Sequence, residues 1–223
     1  AFERLAQTFR SIKSFKEFIK YTVAFLIYND GIMMLMDFAA IIGATLFGMN
    51  QTQLILFVIV IQISGAVGAL LFGKISDRLS SKDSVLIALL ILIVCITALF
   101  FANSLFWFFV VGFFAGFSLS GAQAVSRSMV SQLAPPSKTA EFYGFLSVAG
   151  RTSTFIGPLV FGTLSFRMNN WYLNHGVDAV AAEHGGLYWA IGSILLFLVV
   201  GLVMLLFVKR VTAKDPILYQ DIK

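Results

Sequence analysis

Few residues of this chain carry side chains able to do chemistry, and two of them stand where a charge is costly. Asp30 and Arg151 each fall inside a long apolar stretch. Counting from Lys20 at 1.5 Å per residue, Asp30 lies about 15 Å along a helix, near the midplane of a bilayer, and Arg151, ten residues past Glu141, reaches a similar depth. An ionised side chain at a helix centre costs roughly 2.5 to 3.5 kcal/mol on insertion scales, so each needs a partner or a water-filled cavity. Two arrangements satisfy that need: a permanent buried salt bridge that fixes helix packing, or a site in which both charges meet a solute. A zwitterion would suit the second, its carboxylate facing Arg151 and its ammonium facing Asp30; a proton on Asp30 could equally serve as a coupling ion.

Around this pair stand the other candidates for solute contact. Tyr28 and Asn29 precede Asp30, and Asp37, seven residues on, shares nearly the same helix face one to two turns closer to the outside, where it either gates an outer mouth or is solvated by a vestibule. Gln62 lies mid-way along the second apolar stretch, while Ser120, Gln123 and Arg127 form a stripe on the fourth. Gln62 and Gln123 either hydrogen-bond a solute or hold neighbouring helices together. Met33 and Met34 read as cavity lining or packing.

Enzyme chemistry finds no support in these residues. Ser118 and Ser120 lie near glycines, but His175 and His184 fall in a polar stretch, 167 to 186, too far away for a Ser–His pair. Asp30 and Asp37 share one helix and so cannot face each other as an aspartyl dyad. The two histidines read as solvated loop residues without the cysteine or spaced carboxylate of a zinc site, and Cys95 stands alone. No catalytic residue, metal or cofactor is expected.

The elements that must position these residues are membrane helices. Hydrophobic residues make up 59% of the chain and charged ones 12%, with a mean hydropathy of +0.90. Six stretches are long enough to cross a bilayer, at 20–48, 51–73, 84–102, 104–132, 141–166 and 187–208. Their continuously apolar runs exclude the alternation of a β-barrel, so the fold class is all-α. Of the 16 basic residues, only Arg127, Arg151 and Arg167 lie away from the side holding both termini, which places that side in the cytoplasm. The net charge of +5 therefore answers to lipid headgroups, and nucleic acid is not an expected partner. Residues 1–17 read as an amphipathic linker helix, with Phe2, Leu5, Phe9 and Ile12 at helical spacing, 18–208 as the membrane domain, and 209–223 as a cytoplasmic tail.

Polar residues concentrate in the first, fourth and fifth spans, while the third and sixth are nearly pure hydrocarbon. A polar helix, a glycine-bearing helix and an apolar helix thus recur with a three-helix period, which suggests an inverted 3+3 repeat. Gly65, Gly68, Gly112, Gly116, Gly144, Gly150, Gly157 and Gly162 permit close backbone approach, and Pro158 should kink span five.

The stretch G-K-I-S-D-R-L-S-S-K, Gly73 to Lys82, sits between two spans and resembles the loop joining the second and third helices in each half of a major facilitator transporter. T-F-R-S-I-K (Thr8 to Lys13), Y-N-D-G (Tyr28 to Gly31) and E-F-Y-G-F-L-S-V-A-G-R-T-S-T-F-I-G-P-L-V-F-G (Glu141 to Gly162) resemble the autophagy-linked vacuolar amino-acid effluxers and their bacterial relatives, in the order of that family's C-terminal half. The resemblance departs from the family where Ser80, Ser81 and Lys82 replace the usual later glycine and paired basic residues. It implies half of a secondary transporter moving a small solute, with amino acids the suggested class, by alternating access, and an N-terminal six-helix half as partner. It also implies an inner gate in which Gly73, Asp77 and Arg78 of the loop meet Arg127 and Glu141, Asp77 capping span five. The membrane would be vacuolar in a fungus and the plasma membrane in a bacterium. The contrasting reading is a non-transporting membrane module that pairs with another half or scaffolds a complex. Sequencing upstream of Ala1 is expected to reveal six further spans; a stop codon there would favour the scaffold.

Overall fold

The computed structural model describes residues 15–136 and 138–210. The first fourteen residues, which include most of the expected linker helix, and the tail beyond Arg210 lie outside the described residues. Among the described residues seven helices follow one another: α1 (Lys16–Phe47), α2 (Gln51–Arg78), α3 (Ser81–Leu99), α4 (Leu105–Leu133), α5 (Thr139–Ser153), α6 (Ile156–Asn174) and α7 (Ala179–Leu206). Five of them, α1 to α4 and α7, are long and apolar enough to span a bilayer. Local chemistry sets their ends. Asn50 and Gln53 form a reciprocal capping box on α2, Ser80 accepts from the Asp83 N–H at 3.0 Å to start α3, and Asp178 accepts from Val180 and Ala181 at the start of α7. Gly48, at φ 60°, ends α1 in the left-handed conformation.

The fifth crossing differs from the single span that the hydropathy predicts, because it is two helices, α5 and α6, separated at Thr154–Phe155. Pro158 explains the position: without an N–H it cannot bond the carbonyl four residues back, which is that of Thr154. The polar outer loop expected over 167–186 is also corrected. α6 runs on to Asn174 and α7 begins at Ala179, so the connection is only four residues, 175–178. Gly185 and Gly186 permit this tight hairpin, since a Cβ on Gly186 would sit 2.5 Å from the Ser165 carbonyl oxygen. Likewise most of the Gly73–Lys82 loop is helical: α2 continues through Arg78 and α3 starts at Ser81. Gly73 itself faces open space.

Packing repeats with a three-crossing period. α1 lies on α7 as α4 lies on α3, α2 lies on α4 as α5 and α6 lie on α1, and α6 pairs with α7 as α2 pairs with α3. Because three is odd, the second triplet must run opposite to the first, which makes the repeat an inverted one. The α2–α4 contact is the closest. A Cβ on Gly68 would lie 1.9 Å from the Phe117 carbonyl oxygen, and one on Gly116 would lie 2.8 Å from that of Ile61. By contrast Gly144 and Gly162 meet nothing within 4 Å, so their expected packing role is not found. The rest of α2 is left uncovered, with Ile55, Ile59, Ile63, Val67 and Leu70 all exposed.

Lys82 departs from its expected place among headgroup-facing charges. It is only 8% exposed, and its ammonium donates to the carbonyls of Leu206 (2.7 Å) and Val208 at the end of α7. Those carbonyls have no intrahelical partner, and they carry the negative end of the helix dipole, so a cation is the group they favour. Asp83 adds an ion pair to Arg210 at 3.1 Å, and Glu17 accepts from the Lys209 N–H at 2.7 Å, tying the starts of α3 and α1 to the end of α7.

Three substitutions test this packing. Gly68→Ala should destabilise the protein by about 1–3 kcal/mol through overpacking, whereas Gly162→Ala should be neutral or slightly stabilising, read as thermal midpoints in detergent. Lys82→Met should cost about 1–3 kcal/mol by stripping two buried carbonyls of their donor, and hydrogen exchange should rise selectively over residues 202–208.

Candidate functional site

A polar hollow of about 540 Å3 opens between α1, α4 and α5. α1 lines it with Phe25, Asn29 and Met33, spaced one turn apart on one face. α4 adds Gln123 and Arg127, also a turn apart, and α5 adds Tyr143, Ser147, Gly150 and Arg151. Thr154, at the helix break, closes one end. Tyr143 donates its hydroxyl to the Arg127 carbonyl at 2.6 Å, which bridges α4 and α5 at the other end. Of the residues expected to contact solute, Asn29, Gln123 and Arg151 are thus brought together, and Arg127, expected at the gate, joins them.

Asp30 is not part of that wall. It is 3% exposed, and its partner is Ser153, whose hydroxyl lies 3.3 Å from Asp30 Oδ1 and 3.1 Å from the Gly150 carbonyl, so that its one proton serves either oxygen. The Asp30–Arg151 pair considered from sequence is therefore not formed. The reason is angular: Arg151 and Ser153 are two residues apart on α5, so one faces the hollow while the other faces α1. Asp30 also abuts the start of α6, where a Cβ on Gly157 would lie 3.0 Å from the Asp30 carbonyl oxygen.

Tyr28 is fully buried and belongs to the α1–α4 seam. Tyr21 donates to the Ser126 carbonyl at 2.6 Å, and the Tyr28 and Ser126 hydroxyls lie 2.6 Å apart. Ser126 gives its own proton to the Ala122 carbonyl, also at 2.6 Å, so Tyr28 is the donor in that contact. Sequence reasoning missed this seam, although Tyr21 and Tyr28, seven residues apart and so on one helix face, were a signal for it.

Gln62 faces a different space, an apolar hollow of about 320 Å3 between α1, α2, α3 and α4. Gln123 lines both hollows and its amide lies 3.7 Å from Met36 Sδ. Asp37 is exposed and lines neither. Asp77 and Arg78 are exposed in the last turn of α2, and Glu141 is exposed in the first turn of α5. Among the described residues the ion pairs are Glu17–Lys20 and Asp83–Arg210, so the expected bridge between Asp77 and Arg127 is not formed. One histidine is corrected too: His184 lies in α7, not in a solvated loop, and its Nε2 is 3.0 Å from the Thr45 carbonyl of α1, whereas His175 is exposed in the 175–178 connection, as expected, and bonds the Trp171 carbonyl at 2.7 Å. Among the described residues no three His, Cys, Asp or Glu side chains come together to hold a metal ion.

Known proteins place this arrangement in a family. Residues 1–173 match the family model described as vacuole effluxer Atg22 like. An uncharacterized MFS-type transporter of Bacillus subtilis, YxiO, is 28% identical over 217 residues, covering 96% of this chain and 46% of the relative. Autophagy-related protein 22 of Yarrowia lipolytica is 26% identical over 175 residues, 74% of this chain and 30% of its own length. The chain thus spans less than half the length of these relatives. Among solved structures, the xylose transporter XylE from E. coli in an inward-open conformation shares the fold, with a TM-score of 0.65 at 17% identity over 89% of this chain and 49% of that one. These relatives are transporters and not intramembrane proteases. With its six crossings in two inverted triplets and a family match over most of its length, the chain belongs to the vacuole effluxer Atg22-like family of major facilitator transporters.

Proposed function

We propose that this chain is the C-terminal half of a secondary carrier that moves a small solute, with amino acids as the class, by alternating access. The observation that carries the reading is the polar hollow between α1, α4 and α5. A module that only scaffolds would present a flat, well-packed face there, whereas this face is concave and sets Asn29, Gln123 and Arg151 around a space within the roughly 300–1,000 Å3 range of small-molecule sites. The missing N-terminal six-helix half would close the hollow from the other side, and the broad uncovered apolar face of α2 suits such a partner as well as lipid. With both termini in the cytoplasm, the turn bearing Gly73, Asp77 and Arg78 and the start of α5 bearing Glu141 form the inner gate, and Arg127 lies between that gate and the hollow. The membrane is the vacuolar one if the source is fungal and the plasma membrane if it is bacterial.

Asp30 acts in this reading through the helix break. It holds Ser153 at the end of α5, and its burial makes its charge sensitive to any shift of α5 against α1. In the full-length carrier reconstituted into liposomes, Arg151→Gln should lower uptake of a labelled amino-acid mixture about tenfold or more at unchanged yield. Asp30→Asn, which preserves shape and removes the charge, should also lower it; unchanged uptake with a lower yield would make Asp30 a packing residue only.

A further inference from the structure

We infer that the hollow is an anion trap in which Arg127 and Arg151 together hold the carboxylate of the solute, making Arg127 a binding residue and not solely a gate residue. The inference rests on the carrier reading above and deepens it by naming the group that this half recognises.

Both arginines line one hollow, but they come from different helices. The hydrogen bond from Tyr143 to the Arg127 carbonyl sets Arg127 level with Tyr143, and Arg151 lies eight residues further along α5, about 12 Å. Two long cationic side chains thus reach one hollow from different helices. Among the described residues no acidic one lines the hollow. Asp30 turns toward Ser153, and the ion pairs among the described residues, Glu17–Lys20 and Asp83–Arg210, leave both guanidiniums without a carboxylate. Two cations facing one space repel each other, and an anion placed between them relieves both. A carboxylate is the matching anion because its two oxygens fit the planar guanidinium fork.

The neutral lining agrees. Asn29, Gln123 and Ser147 supply hydrogen bonds without charge, and the Tyr143 hydroxyl is already committed to the Arg127 carbonyl. Among the described residues an ammonium finds no ion-pair partner in this wall, so this wall reads the acid end of a solute and is indifferent to the amine. That separates it from a zwitterion clamp between Arg151 and Asp30.

The test is binding to the purified full-length carrier with three probes of one shape: leucine, 4-methylpentanoate, which lacks the amine, and leucinamide, which lacks the carboxylate. Leucine and 4-methylpentanoate should both raise the thermal midpoint and leucinamide should bind at least tenfold more weakly. Arg127→Gln and Arg151→Gln should each weaken the two acids about tenfold and leave leucinamide unchanged, with Arg127→Lys close to Arg127→Gln because the fork is lost. The ligand-free midpoint of each variant checks that it is folded. An arginine that served only as a latch would shift acid and amide alike, so the acid-to-amide ratio is the decisive readout. Equal binding of leucine and leucinamide, or no binding of either acid, overturns the inference. If both acids bind yet labelled leucine is not moved across liposomes, the carrier reading fails while the anion site stands.

Discussion

Hydrocarbon offers no hydrogen bond, and that single constraint orders the interior of this protein. A polar group in a span gains by meeting another part of the chain or a wet hollow, and most do, with the buried Ser118 hydroxyl an exception. Ser64 turns back to the Ile61 carbonyl, Ser84 reaches the Phe72 carbonyl of the neighbouring helix, and Ser193 returns to Ala190. Tyr21 and Tyr28 reach across to Ser126, joining α1 to α4. The helices that carry more polar groups than they can satisfy locally, α1, α4 and α5, are the ones that end up facing each other around the hollow.

The same constraint gives the interrupted fifth crossing its meaning. Breaking a helix inside a membrane frees backbone groups, which is tolerable only where protein or a water-filled space surrounds them. Here the break lies against α1 at Asp30 and Gly157 on one side and opens on the hollow at Thr154 on the other. The two pieces then divide the work. α5 brings Arg151 and Ser147 to the wall, while α6 packs by apolar contact, with Phe161 stacked on Phe38 of α1 at a centroid distance of 3.9 Å. A proline in the first turn of α6 is well placed for this, because the missing N–H falls where the first helical N–H groups have no partner anyway.

At the end of the bundle where α1 starts and α7 ends, charges are used differently. Lys82 and Asp83 begin α3, and both point to the end of α7. A stretch that reads as a solvated basic loop is thus in part a clamp on the last span, and its lysine answers helix carbonyls instead of lipid phosphates. The short α2–α3 turn makes this possible, since only Leu79 and Ser80 separate the two helices.

Much of this was legible beforehand because membrane sequences state their burial openly. Hydropathy located the crossings, the uneven spread of polar residues picked out α1, α4 and α5, and Gly65, Gly68, Gly112 and Gly116 marked the close α2–α4 contact. What could not be read was direction around a helix axis and partner choice across space. Asp30 and Arg151 share a depth, yet only packing decides that Ser153 meets the acid while Arg151 lines the hollow with Gln123 and Arg127. Depth along a span follows from counting residues, a one-dimensional quantity that the order of amino acids contains. Which side chains meet depends on how every helix is rotated against its neighbours, and that is set by the sum of contacts over the whole bundle.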